Sequence, residues 1–207
     1  MNSFRKLFVF VCILWASGTI AKPPTPFAAN QYTLVVEGYD WGPAVSKVIL
    51  ALDAPTSAVD MKDFTVSVER TSDCSVIPES QKNGSRSVVF AYVSDDKGNR
   101  VKEGSNITLV LAVAPNLPIG SPIQYSQSGN CRGNRWITYQ VSVTNTKTNQ
   151  VWNQEKSRIR PILDEFDTSG KYEYEAGKTM SFASFKPKNA NPKAPLIIWL
   201  HGGGEGG

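Results

Sequence analysis

Histidine is almost missing from this sequence: His201 is the only one. Cysteine is sparse too, with Cys12, Cys74 and Cys131 and no C-x-x-C pair. A zinc-type ligand set needs clustered His and Cys, so neither a metal nor a cofactor is expected. Charge of one sign is also in short supply. Lys and Arg total 22 against 18 Asp and Glu, a formal net charge of +4. With no Arg–Lys block, this bias argues against nucleic acid as a partner. No apolar run reaches the roughly 20 residues that span a bilayer. There is no internal repeat and no low-complexity block. What remains is 41% hydrophobic and 19% charged, an ordinary globular balance. A chain of 207 residues suffices for one large domain, or one small domain and part of another.

The N-terminus reads as an export signal. Arg5 and Lys6 precede the apolar stretch Leu7–Ala16, and Thr19-Ile20-Ala21 offers small residues before a cut after Ala21. The expected mature protein is therefore secreted or periplasmic, with no membrane partner after cleavage of residues 1–21. In an oxidising compartment Cys74 and Cys131 form an even pair. A bond between them would contribute roughly 4 kcal/mol on the chain-entropy estimate; the alternative is two separate, partly buried thiols. Asn83-Gly84-Ser85 and Asn106-Ile107-Thr108 are N-x-S/T sequons. Asn83-Gly84 is also a type I′ hairpin signal, and that turn is the expectation.

After the proline-rich stretch of residues 22–30, period-two runs succeed one another. They are Tyr32–Glu37, Val45–Leu52, Phe64–Glu69, Ser87–Val93, Ile107–Val113 and Trp136–Val143. In the third, Phe64, Val66 and Val68 face one way and Thr65, Ser67 and Glu69 the other. Gly, Pro, Asn and Asp separate the runs, and Asp95–Asn99 reads as a turn. About six or seven strands in some 120 residues is the size of an Ig-like antiparallel sandwich, expected over residues 31–150. The usual cysteine bridge around a central Trp is not in its standard spacing. Residues Asp40-Trp41-Gly42-Pro43, Phe64–Glu69 and Ala114–Gly120 resemble the N-terminal Ig-like domain that precedes some secreted esterases.

The last residues carry the most specific signal. Leu196–Leu200 (LIIWL) is apolar without alternation, which suits a strand buried on both faces. Gly202-Gly203-Gly204 come directly after it, and bare glycine N–H groups can approach a ligand closely. With Pro195, His201 and Glu205 the segment reads P-L-I-I-W-L-H-G-G-G-E. It resembles the entry into the catalytic domain of secreted α/β-hydrolases, in particular esterases and prolyl-oligopeptidase-like enzymes. The resemblance implies that His201, Gly202, Gly203, Gly204 and Glu205 form an oxyanion loop, whose N–H groups stabilise the tetrahedral intermediate of acyl transfer. In that family the G-x-S-x-G nucleophile elbow comes later, and none occurs in these residues. The resemblance therefore implies an N-terminal piece of a serine hydrolase that holds no catalytic triad residue and does not turn over substrate.

Residues 151–207 are read as an interdomain bridge followed by the truncated first strands of the hydrolase, namely Tyr172–Tyr174, Met180–Phe185 and Leu196–Leu200. The acids Asp164, Glu165, Asp167, Glu173 and Glu175 lack a glycosidase-like arrangement and are expected in solvent. The aromatics Trp41, Trp136, Trp152, Tyr125 and Tyr139 are expected mainly as core or interface, with Trp41 and Trp136 as candidate substrate contacts. The long Pro115–Arg135 loop is a candidate wall for a substrate. Two functions compete. One is a secreted carboxylic-ester hydrolase acting on plant-polymer or polyester substrates, with an ester or polysaccharide-linked substrate as its partner. The other is an exported Ig-like binding or adhesion module that contacts carbohydrate.

Overall fold

The structure is a computed structural model describing residues 30–127, 131–189, 191, 193 and 195–200. Its strands are β1 (Gln31–Tyr39), β2 (Gly42–Thr56), β3 (Phe64–Thr71), β4 (Asn83–Arg86), β5 (Val88–Ser94), β6 (Gly104–Leu111), β7 (Ile123–Ser126), β8 (Gly133–Trp136), β9 (Thr138–Asn145), β10 (Val151–Trp152), β11 (Gln154–Ile159), β12 (Asp167–Glu175) and β13 (Lys178–Ser184). Short 3-10 turns occur between some of them, and no α-helix is present among the described residues.

Two sheets make the sandwich. One has the order β11-β1-β2-β6-β5 and the other β10-β9-β3-β4. All pairings are antiparallel except β1 with β11, which is parallel. The protein is thus mainly β and Ig-like, as its alternating runs predict. In β3 the inward set Phe64, Val66 and Val68 is buried while Thr65, Ser67 and Glu69 are exposed. Leu34, Val48, Leu50 and Leu109 from the first sheet meet Val66, Val68, Val141 and Val143 from the second, and Trp152 closes the core. At roughly 25 cal/mol per Å² of apolar surface, such burial is the main term holding the sheets together.

Polar tips of buried side chains also link the sheets. Trp152 Nε1 donates to the Ala51 carbonyl at 2.7 Å, and the Val141 amide donates to the Tyr32 hydroxyl at 3.1 Å. The middle of β2 is buried on both faces, because the Asp95–Asn99 turn folds over the outer one. Gly98 there has φ +82, and a Cβ on it would sit 3.0 Å from Ile49 Cδ1. Asp95 Oδ1 accepts from the Lys97 and Asn99 amides at 2.9 and 2.8 Å, closing the turn.

Several expectations are corrected. Asn83-Gly84 is not a hairpin turn. It lies within β4, where Asn83 pairs with Glu69 and Gly84 with Val68. Gly84 is needed there for closeness: a Cβ would lie 3.2 Å from Ile119 Cγ1. The Asn106 sequon is buried within the first sheet, on β6 between β2 and β5, whereas Asn83 is exposed. The sandwich does not end at residue 150. β10 pairs with β9, and β11 lies beside β1 out to Ile159 opposite Val35, so residues 151–159 belong to the sandwich and not to a bridge.

Beyond it, β12 and β13 form a separate hairpin, the strands anticipated at Tyr172–Tyr174 and Met180–Phe185. Leu196–Leu200 is in no strand and is 73–88% exposed, contrary to the buried strand expected there. A strand buried on both faces needs neighbours on both sides, and among the described residues nothing pairs with this one.

Candidate functional site

The structure sorts the candidate aromatics cleanly. Trp152 and Tyr139 are 1% exposed and belong to the core. Trp41, Tyr125 and Trp136 are each 48% exposed.

Trp41 stands at the tip of the β1–β2 hairpin. Its ring stacks on Tyr39 with centroids 5.0 Å apart and planes 14° off parallel. The next residue, Gly42, has φ +113, a conformation that glycine adopts without strain. It brings the hairpin against β7: the Cβ position of Gly42 is 4.0 Å from Ile123 Cδ1. Ile123 in turn pairs with Trp136, and Tyr125 with Asn134. Because cross-strand partners share a face and alternate residues do too, Ile123, Tyr125, Asn134 and Trp136 line one side of the β7–β8 ribbon. The Pro115–Arg135 segment expected as a loop therefore contains a two-stranded ribbon, joined through Ile123 to the Trp41 turn.

Two buried arginines hold it in place. Arg70 continues the inward face of β3 and is 1% exposed. Its Nε donates to the Ser121 carbonyl at 3.1 Å, Nη1 to Gln81 O at 3.1 Å, and Nη2 to Ile123 O at 3.0 Å and Gln124 Oε1 at 3.3 Å. Among the described residues no carboxylate pairs with it, and burial pulls its pKa below the ordinary arginine value. An arginine remains protonated nonetheless.

Arg86 is 4% exposed. It donates from Nη1 to the Tyr139 hydroxyl at 2.6 Å and from Nη2 to Val45 O and Ala112 O at 3.0 and 2.8 Å. Tyr139 donates its own proton to Ile119 O at 3.0 Å. Burial raises the Tyr139 phenol, and Arg86 opposes that rise. Gly120 lets the chain lie on the guanidinium, since a Cβ there would be 3.1 Å from Arg86 Cζ. A third fastening is covalent: Cys74 and Cys131 form a disulfide with Cα atoms 5.9 Å apart.

Sequence reasoning missed Arg70 and Arg86, although the period-two count of β3 already puts Arg70 in line with Phe64, Val66 and Val68. Charge argued for the surface; the carbonyl acceptors that retain it come from distant parts of the sequence.

A concavity of about 340 Å³ lies where the chain leaves the sandwich, lined by Glu37, Gly38, Tyr39, Pro161 and Ile162. Glu37 Oε1 is 2.9 Å from Lys47 Nζ, and Glu37 Oε2 accepts from Tyr39 Oη at 3.3 Å. Burial works against the Glu37 carboxylate, but the Ser46 hydroxyl and Lys47 hold it below its ordinary pKa. Among the described residues no group of three or more His, Cys, Asp or Glu is placed to hold a metal ion. The five loop residues His201, Gly202, Gly203, Gly204 and Glu205 lie outside the described residues. What the described surface offers chemically is binding, through flat aromatic faces and hydrogen-bonding groups.

The fold has known counterparts. The crystal structure of a thermostable esterase is similar to this chain with a TM-score of 0.63 at 19% identity, over 83% of this chain and 47% of the esterase. The chain thus spans about half the length of that structure. No curated protein matches it. The family model for the esterase Ig-like N-terminal domain matches residues 31–158, which places the upper boundary at β11, as the strand pairing does. By that match, over well more than half its length, the chain belongs to the family of esterase Ig-like N-terminal domains.

Proposed function

We propose that these residues are the N-terminal portion of an exported serine ester hydrolase, in which the sandwich precedes and supports an α/β catalytic domain. The observation that carries this reading is the family match over residues 31–158. The C-terminal residues support it: a solvent-exposed hairpin with an apolar face leads to Pro195–Glu205 with its apolar run and glycines. In this reading the Gly203 and Gly204 amides donate to the oxyanion. His201 and Glu205 shape that loop, and the nucleophile, acid and base are supplied by residues outside these 207. The substrates are carboxylic esters of plant polymers or polyesters.

The test is to read the coding DNA past codon 207 and to assay both products on p-nitrophenyl acetate. A frame continuing into G-x-S-x-G, with turnover blocked by a serine reagent only in the extended protein, supports the reading. Serine-reagent-sensitive turnover by the 207 residues alone contradicts it.

A further inference from the structure

The outer face of the first sheet holds polar residues that solvent barely reaches. Thr33 and Asn106 are each 7% exposed, and Ser94 and Thr108 are fully buried. Leu34, Ile107 and Leu109, their neighbours in sequence, point into the core, so by alternation Thr33, Asn106 and Thr108 stand on the opposite face. Thr108 and Ser94 satisfy each other, the Thr108 hydroxyl donating to Ser94 Oγ at 2.8 Å. The Asn106 side chain has no hydrogen-bond partner among the described residues. A buried amide left in that state is costly unless something else supplies the bonds.

Asn106 lines a cavity of about 110 Å³. Its floor is Ile49 and Ala51, and Ala51 is the cross-strand partner of Asn106. One wall is Thr33 and Ser157, whose hydroxyl oxygens lie 2.8 Å apart. Another is Asp96, in the Asp95–Asn99 turn that Gly98 lets settle onto Ile49. Adjacent residues of a regular strand face opposite ways, yet Lys156 lines the cavity as well as Ser157. A bulge in β11 re-aims it: Glu155 is opposite Tyr32 and Ser157 opposite Thr33, which leaves Lys156 as the extra residue.

This lining selects a class of ligand. Asp96 and Lys156 bring one charge of each sign, so a lone cation would meet the ammonium and a lone anion the carboxylate. Asn106 offers a donor and an acceptor together, and the hydroxyls of Thr33 and Ser157 do the same. A sugar hydroxyl likewise donates and accepts, and the C–H groups between hydroxyls suit the apolar floor. The volume is several times the roughly 10–15 Å³ that one water requires. It is well below the roughly 300 Å³ at which pockets for larger ligands begin, so it takes the edge of one sugar ring and not a chain.

We infer that this cavity on the outer face of the first sheet binds a single neutral sugar residue, whose adjacent hydroxyls are held by Asn106 and Asp96. The site is part of the Ig-like domain and does not depend on the ester-hydrolase reading.

The test is an amide NMR titration of the 207-residue chain with D-glucose, D-galactose and D-xylose in turn, and with glycine, sodium acetate and calcium chloride as charged comparators. At least one sugar shifts the Asn106 side-chain amide and the Asp96 backbone amide along one saturating curve in the millimolar range. Ala51→Val puts two methyl groups into the cavity and abolishes the shift. Asp96→Asn weakens sugar binding about tenfold. Asp96 is exposed and its side chain makes no hydrogen bond or ion pair with a described residue, so this variant keeps the wild-type thermal midpoint and decides the question even where Ala51→Val fails to fold. No saturating shift at Asn106 with any of the three sugars overturns the inference, because the cavity then holds water only. So do equal saturation by glycine, acetate or calcium, and unchanged sugar affinity in Asp96→Asn.

Discussion

Strands β3 and β9 and strands β12 and β13 are built from similar material and end differently. Both pairs are antiparallel and alternate apolar with polar residues. In β3–β9 the apolar face, with Val66, Val68, Val141 and Val143, is buried under the opposite sheet. In β12–β13 the equivalent face, with Tyr172 opposite Met180 and Phe182 across Gly170, is about half exposed. Phe182 lies over Gly170 so closely that a Cβ there would be 2.5 Å from its ring. The other face carries Lys171, Glu173, Thr179 and Ser181. Pairing and a Gly177 turn at φ +75 suffice to form a hairpin; a second layer is needed to bury it. The sandwich supplies its own second layer, and among the described residues the C-terminal hairpin has none.

The sharpest way to break this contrast is to truncate one aromatic on each side. Trp152→Ala removes a fully buried ring and the bond to Ala51, and should destabilise the sandwich by about 4 kcal/mol. Tyr172→Ala should shift the same denaturation midpoint by less than about 0.5 kcal/mol. Equal effects would mean that the hairpin packs as part of the sandwich. Replacing both Cys74 and Cys131 by Ser releases a constraint with sequence separation 57 and should lower stability by about 4 kcal/mol. A variant lacking every residue after Ile159 should keep its cysteine-linked stability unchanged.

Next in size is Arg86→Met. It leaves Val45 O, Ala112 O and the Tyr139 hydroxyl without their buried donor and should cost about 3 kcal/mol in urea unfolding. Arg160→Met, whose ion pair with Asp164 is exposed, should be near neutral. The smallest effect concerns pH. The folded-state pKa of Glu37 is lowered, so its contribution is present above the ordinary carboxylate range, about 4, and is lost as pH falls through the lowered value. Glu37→Gln should lower the neutral value slightly, with little change at acid pH, and so flatten the acid limb of the stability profile.

The sandwich was legible because alternation is a local record of a two-layer core: Phe64, Val66 and Val68 announce their face whatever pairs with them. The Trp41 turn was visible as a loop through Gly42-Pro43. Three things were not legible. The parallel pairing of β1 with β11 joins residues more than a hundred positions apart, and the charged sequence Gln154–Ile159 gives no buried-strand signal. Asn83-Gly84 carries a turn signature that tertiary pairing with β3 overrides. Arg70 and Arg86 look like surface residues until the carbonyls that receive them are known. Of the candidate contacts, Trp41 and Trp136 could be named from sequence, but their separation from buried Trp152 and Tyr139 rests on packing.

Native-state hydrogen exchange on the 207-residue chain puts the central contrast to the most direct test. The amides of Leu34, Val48, Leu109 and Val141 should exchange only through global unfolding, while those of Tyr172, Met180 and Phe182 exchange through cheap local opening. Protection of the β12–β13 amides equal to that of the sandwich core would contradict the account, because the hairpin would then have its second layer already.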